Sequence, residues 1–231
     1  MKAMILAAGR GERMRPLTDT IPKPLLKVGG KALIVWHIEK LARAGFDEIV
    51  INHAHLGHMI EAELGSGENF DVDIVYSPET RALETAGGIA LALPLLGTRA
   101  FPVINADVFC DYDFLDLHAE AIMLQEDPAR SAHLILVDNP AHHRAGDFVL
   151  ERRLVVPEGA PCLTFSGIGI YQPAFFQGIP RGEKVALAPL LRAAISDGRV
   201  SGEHFPGMWT DVGTPARLEQ LNQAVQPRVN H

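Results

Sequence analysis

Cysteine is scarce in this 231-residue chain: Cys110 and Cys162 stand far apart and outside any CxxC pattern. Two such residues make no disulfide framework, and a reduced, cytoplasmic compartment suits them better. Positive charge is also short, with 21 Lys and Arg against 28 Asp and Glu and a net charge of −7. Nucleic-acid binders usually carry a basic patch, and the longest basic run here is Arg152 and Arg153. Nucleic acid is therefore not the expected partner. Long hydrophobic runs are missing too. The longest uncharged stretches, residues 85–98 and 163–180, are broken by Pro94, Pro173 and several glycines, so neither reads as a bilayer span. The apolar run at residues 3–8 meets Gly9, Arg10, Gly11, Glu12 and Arg13 at once, which leaves it shorter than a signal-peptide core. A membrane is not expected as a partner either.

The composition that remains is that of a soluble, core-forming chain. Hydrophobic residues make up 47% and charged ones 21%, enough for a core without metal or disulfide staples. Short apolar runs alternate with helix-period segments, the pattern of βα units and a mainly parallel sheet. Strands are expected at residues 4–8, 48–52, 72–76 and 101–105. Helices are expected after them: one with Ile34, Ile38 and Leu41 on a single face and ended by Gly45, one near 57–64, and one at 85–93 stopped by Pro94. Beyond residue 110 the pattern changes. A helix at 112–125 is followed by strands at 132–137, 148–156 and 163–171, then helices at 187–195 and 215–224. No linker, repeat or low-complexity tract separates the two regions. The expectation is one α/β domain over 1–231, with a nucleotide-binding half (1–110) and a mixed, acceptor-binding half (111–231).

An acidic protein that binds a polyphosphate must use a few placed cations, backbone amides or a metal. The strongest local signal fits that need. Gly9-Arg10-Gly11-Glu12-Arg13-Met14-Arg15-Pro16-Leu17-Thr18 follows the first strand, and Pro22-Lys23-Pro24 comes soon after. Glycines let backbone N–H groups approach a phosphate without Cβ obstruction, and the flanking prolines restrict the backbone around Lys23. A dinucleotide fingerprint needs glycine where Met14 stands, and a P-loop needs Gly-Lys-Ser/Thr, which is absent.

The order Leu-Ala-Ala-Gly-x-Gly-x-Arg-Met-x-Pro-Leu-Thr…Pro-Lys-Pro resembles the sugar-1-phosphate nucleotidyltransferases. The resemblance continues through Leu83-Glu84-Thr85-Ala86-Gly87-Gly88, Asn105-Ala106-Asp107 and Trp209-Thr210-Asp211-Val212-Gly213-Thr214. It implies an α/β, Rossmann-like nucleotidyltransferase fold and a reaction in which a sugar-1-phosphate oxygen attacks the α-phosphorus of an NTP and pyrophosphate leaves. Such chemistry asks for charge neutralisation and alignment more than for a protein nucleophile.

The resemblance also implies roles. Ala8, Gly9, Gly11, Glu12 and Arg13 would bind the triphosphate, Arg13 facing the leaving pyrophosphate, and Lys23 would draw the α-phosphate and acceptor phosphate together. Thr85, Gly87 and Gly88 would lie against the base. Asp107 and Asp211 would hold Mg²⁺, a hard cation that takes oxygen ligands. Asn105, Gly146, Glu151, Ser166 and Gly167 would contact the sugar. Glu12 stands where the wider family has a small hydroxyl residue, and Ala106 where a glycine is usual. The partners expected are an NTP and a sugar 1-phosphate, with the chain a monomer or small homo-oligomer.

Within the family, Asp138-Asn139-Pro140-x-His142-His143…Gly146-Asp147-Phe148, Thr164-Phe165-Ser166-Gly167-Ile168 and Ser201-Gly202-Glu203-His204 are similar to the uridylyltransferases that take N-acetylmuramate 1-phosphate. The mannose-1-phosphate guanylyltransferases share the main motifs. Two readings of other classes remain: a binding-only regulatory module, and a nicotinamide oxidoreductase, which Met14 opposes. His53, His55 and His58 lack zincin spacing and are expected on a surface loop, as are His142 and His143 after the turn signal Asn139-Pro140.

Overall fold

The computed structural model describes residues 1–225. The chain opens with β1 (Lys2–Leu6). A small ribbon, β2 (Lys27–Val28) and β3 (Lys31–Ala32), leads into α1 (Leu33–Arg43). Then come β4 (Glu48–His53), α2 (Gly57–Leu64), β5 (Asp73–Pro78) and α3 (Glu84–Leu96). The strands β6 (Phe101–Asn105) and β7 (Val108–Cys110) precede α4 (Phe114–Glu126). Next are β8 (Ala132–Val137), β9 (Phe148–Glu151), β10 (Leu154–Val156) and β11 (Cys162–Tyr171). The described chain closes with α5 (Leu187–Ser196), β12 (Val200–Phe205), β13 (Trp209–Asp211) and α6 (Pro215–Val225).

Nine strands form one sheet in the order β5-β4-β1-β6-β11-β8-β12-β10-β9. The first four are mutually parallel. β11 then enters antiparallel to both β6 and β8, so the sheet is mixed beyond β6. Parallel strands covered on both faces read as unbroken apolar runs, and β1 shows why. Ala3 and Ile5 face one core cluster, which includes α1 and α4 residues, while Met4 faces the other, with α3 and α5.

Local chemistry sets the boundaries. Gly45, at φ 83, ends α1 as its sequence suggested. The Gly45 N–H donates to Ala42 O at 3.0 Å and the Phe46 N–H to Leu41 O at 3.0 Å, a Schellman closure with Phe46 buried behind it. Two expectations need correction, and one strand was not expected. Pro94 lies inside α3 rather than stopping it: in the last turn its missing N–H costs one hydrogen bond, and Gly97 provides the actual stop. The strand expected at 148–156 is a hairpin, β9 and β10, because Arg152 adopts φ 58 and turns the chain. β12, unassigned in the sequence, pairs in parallel with β8 over its full length. Among the described residues no helix is long and apolar enough to cross a membrane.

Candidate active site

β4 and β5 lie to one side of β1, and β6 lies to the other. The chain order therefore reverses between β1 and β6, and the crevice beyond their carboxyl ends is where such sheets bind ligands. A cleft of about 470 Å³ opens there, within the usual size range for small-molecule sites. The first loop supplies Ala8, Gly9, Gly11, Glu12, Arg13 and Lys23 to its wall. Thr85 comes from α3, and Asn105 and Asp107 come from the end of β6.

The loop is pinned from within. Gly11 takes φ 69, and a Cβ there would stand 2.9 Å from Thr18 Cγ2. The Thr18 hydroxyl donates to Gly11 O at 2.8 Å, and Arg10 Nη1 donates to Thr18 O at 2.8 Å. Arg10 and Arg15 both hold Asp19; the Arg10 hydrogen bond, then the charge of Arg15, keeps the Asp19 carboxyl below its ordinary range. Two of the three loop arginines are thus spent on the loop itself, and Arg13 is the one exposed on the cleft wall. Met14 is fully buried in a small cluster with Val28, Leu33, Val212 and Leu221. That anchor explains why the third glycine of a dinucleotide fingerprint is not wanted here.

Sequence reasoning missed the polar girder behind the loop. Asn52, at the end of β4, accepts from the Ala7 N–H at 2.9 Å and donates to Glu79 Oε1 at 2.6 Å. Glu79 Oε2 accepts from the Leu83 N–H at 2.9 Å. Burial pushes the Glu79 carboxyl up, while these two donors pull against it. Both residues line the cleft. Their only signal in the sequence was a polar residue at the carboxyl end of each parallel strand.

Gly87 and Gly88 do not line the cleft as expected. A Cβ at Gly87 would stand 2.2 Å from Glu183 O, and one at Gly88 would stand 2.6 Å from Glu79 Oε1. The missing side chains make room for the 183–185 segment, which hydrogen-bonds α3 through Val185, and for the girder.

The two candidate metal carboxylates arrive from opposite ends of the chain. β13 pairs antiparallel with β7, setting Asp211 opposite Val108, and the Val212 N–H donates to Asp107 O at 2.7 Å. Lys23, itself buried, places Nζ 2.5 Å from Asp107 Oδ2. Asp211 accepts from Arg217 Nη1, and His142 Nε2 lies 3.0 Å from its Oδ1. Asp211 is not on the cleft wall, although its neighbour Gly213 is. His37 fixes this seam from below: its Nε2 donates to Val108 O at 2.8 Å, and burial drives its pKa down to about 4.

The candidate sugar residues divide. β11 carries a register shift against β8 between Phe165 and Gly169, a bulge of the kind found beside active sites. Gly167 sits in it at φ 79, where a Cβ would meet Asn105 Nδ2 at 2.6 Å. Ser166 is buried, and its carbonyl accepts from Trp209 Nε1 at 2.9 Å. Gly146 is packed on Asn139 and Cys162, supporting a loop in which Asn139 accepts from Thr164. Glu151 is not brought to the cleft. It is exposed beside the β9–β10 turn and lines a different cavity, with Arg152, Arg153 and Leu154. The histidines also separate: His53 is buried against Gly57 and 2.6 Å from Glu61, not on the surface as expected.

A family model for nucleotidyl transferases matches residues 2–151, the stretch that carries the loop, the girder and Asp107. The chain belongs to that family. This nucleotidyltransferase is 57% identical over 224 residues to an N-acetylmuramate alpha-1-phosphate uridylyltransferase of Neisseria meningitidis serogroup B, covering 95% of this chain and 96% of the relative. It is 33% identical over 226 residues to a mannose-1-phosphate guanyltransferase of Aspergillus fumigatus, covering 93% of this chain but 61% of that longer relative. A solved Bacillus anthracis structure, described as that of a glucose-1-phosphate thymidylyltransferase, superposes with a TM-score of 0.86 at 24% identity over 100% of this chain and 97% of its own. At that identity the likeness concerns the fold of the nucleotidyltransferase, and it extends over both halves of the sheet.

Proposed function

We propose that this nucleotidyltransferase transfers a uridylyl group from UTP to N-acetyl-α-muramate 1-phosphate, giving UDP-N-acetylmuramate and pyrophosphate, in the cytoplasm and in the service of peptidoglycan recycling. The observation that carries the substrate pair is the 57% identity to the Neisseria uridylyltransferase across nearly the whole of both chains. The geometry of the cleft supports the reaction class independently.

An oxygen of the sugar 1-phosphate attacks the α-phosphorus, and the bond to the bridging oxygen of pyrophosphate breaks in line. No protein nucleophile is required, so the residues must align two polyanions and neutralise charge. The Gly9 and Gly11 loop offers backbone N–H groups at a strand end, with Ala8 and Glu12 beside them. Arg13, exposed on the wall, presents a fork suited to the leaving pyrophosphate. Lys23 is held close to Asp107, at the place where the α-phosphate and the acceptor phosphate must meet. Thr85, on the cleft wall, would flank the base. Asn105, against Gly167 and the bulge, offers an amide to the sugar.

Asp107 and Asp211 fit Mg²⁺: they are an oxygen-only pair brought together by β7 and β13, and each is paired with a cationic side chain, Lys23 or Arg217. When bound, Mg²⁺ would supply charge neutralisation for the phosphates. Lys23 and Arg217 hold the two carboxylates by ion pairs.

The test is pyrophosphate release with Mg²⁺, crossing UTP, GTP, dTTP and CTP with muramate-, glucosamine-, mannose- and glucose-type 1-phosphates. UTP with N-acetylmuramate 1-phosphate is expected to lead the panel. A lead for GTP with mannose 1-phosphate would overturn the substrate pair and keep the chemistry. Silence with UTP still bound would point to a binding-only module.

A further inference from the structure

The cleft has two ends. Lys23, Asn105 and Asp107 wall it at β6, while Leu83, Glu84, Thr85 and Lys184 wall it where α3 begins, beyond β5. β5 and β6 stand three strand spacings apart in the sheet, about 14 Å. A nucleotide with its α-phosphate beside Lys23 and Asp107 thus reaches toward α3 with its base.

Lys184 is a cation that the proposed chemistry does not use. With Arg13 and Lys23 it stands on the cleft wall, and its backbone is fixed on both sides. The Val185 N–H donates to Leu83 O at 3.0 Å, and Val185 O accepts from the Ala86 and Gly87 N–H groups at 3.0 and 3.1 Å. Arg81 Nη2 donates to Gly182 O at 3.2 Å. The Lys184 ammonium then lies 3.1 Å from Glu84 Oε1. Both side chains are exposed, at 60% and 45%, and an exposed pair of this kind adds little stability.

Glu84 is held against strain. It takes φ 59 at the first position of α3, a left-handed conformation that glycine adopts freely and glutamate does not. Leu56, Asp71 and Arg152 share it among the described non-glycine residues, but Glu84 alone of the four lines the cleft. A side chain kept on a binding wall against backbone strain points to a contact made there.

We propose, on the uridylyl-transfer reading of the cleft, that Glu84 and Lys184 choose the base by reading its carbonyl and adjoining ring N–H. The Glu84 carboxylate accepts from uracil N3–H, and the Lys184 ammonium donates to the neighbouring carbonyl. Cytosine carries a bare ring nitrogen and an amino group at those two positions. It would set a lone pair against the carboxylate and an N–H against the ammonium, a mismatch at both.

The test follows pyrophosphate release from UTP, GTP and CTP with Mg²⁺, using N-acetylmuramate 1-phosphate and, separately, mannose 1-phosphate. Melting curves are recorded for the same full-length proteins. The wild type is expected to prefer UTP to CTP by at least about 10² in kcat/KM. Glu84→Gln, whose amide can turn to face either base, should cut that preference about tenfold, mainly through KM for UTP. Lys184→Met should cut it in the same direction. Glu84→Gly should cut it too, yet melt no lower than the wild type, because glycine releases the backbone strain. An unchanged preference in Glu84→Gln and Glu84→Gly would overturn the proposal. So would equal losses for UTP and CTP, which would put the carboxylate on a group the two nucleotides share. A wild type led by GTP with mannose 1-phosphate would overturn the substrate pair instead. Guanine also sets a carbonyl beside a ring N–H, so Glu84→Gln would then have to cost GTP its preference over CTP.

Discussion

From β1 to β6 the cleft residues sit at the carboxyl ends of parallel strands or in the loop directly after one. Beyond β6 each candidate residue rides on a different kind of element: Asp211 on a short ribbon, Gly167 in a bulge, Gly146 in a supporting loop. In the first region, position along the strand decides function, because every parallel strand ends at the same crevice. In the second, function depends on how a strand bends and which distant strand it meets. The small cluster of Met14, Val212 and Leu221 joins the two, so the glycine loop and the turn after Asp211 share one apolar anchor.

The sharpest way to break this contrast is at the junction of the two regions. Asp107→Asn should lower kcat by about 10³, with an unchanged circular dichroism spectrum; a rate near wild type would remove Asp107 from the machinery. Arg13→Gln should cost about 10² in kcat/KM for UTP, measured by pyrophosphate release, because the other loop arginines are committed to Asp19.

Next comes stability. His37 has a lowered pKa in the fold, so the folded chain refuses a proton that the unfolded chain accepts. Its stabilisation is complete above the ordinary value of 6.5 and is lost as pH falls toward about 4, amounting to about 3 kcal/mol at the acid end. Urea midpoints measured across that window should fall with acid in the wild type and fall less steeply in His37→Gln, where buried His133, whose pKa is also lowered to about 4, still contributes. Asn52→Ala should destabilise by about 1–3 kcal/mol, since it strips Glu79 and the Ala7 N–H of a buried partner; an unchanged urea midpoint would show that the girder bears no strain. The smallest effect is expected at Glu151→Ala. Exposed at the hairpin turn, Glu151 should leave KM for the sugar 1-phosphate within about twofold, the range of a surface substitution, and a large rise would return it to the sugar site.

The same contrast explains what was legible in the sequence. The glycine loop, Lys23, Asp107 and the parallel strands could be read because they rest on contiguous spacing. Asn52 and Glu79 could not be paired, since their hydrogen bond spans 27 positions and no local pattern encodes it. At Gly87 and Gly88 a missing Cβ says that something comes close, not what, and only the fold shows Glu183 O and Glu79 there. Glu151 rests on the family resemblance alone, and no local pattern marks the left-handed Arg152 that sets it beside the hairpin turn, away from the cleft. β12 was overlooked because Gly202 and Glu203 dilute its apolar pattern, although Gly202 is needed where a Cβ would stand 3.0 Å from Leu134 O.

Uridylyl transfer to a muramate phosphate is the activity proposed for this cleft. Its most direct test is a competition: equal UTP and GTP, equal N-acetylmuramate 1-phosphate and mannose 1-phosphate, Mg²⁺, and mass spectrometry of the nucleotide sugars formed at early times. UDP-N-acetylmuramate as the dominant product is predicted. GDP-mannose as the dominant product, with UDP-N-acetylmuramate absent, would contradict it.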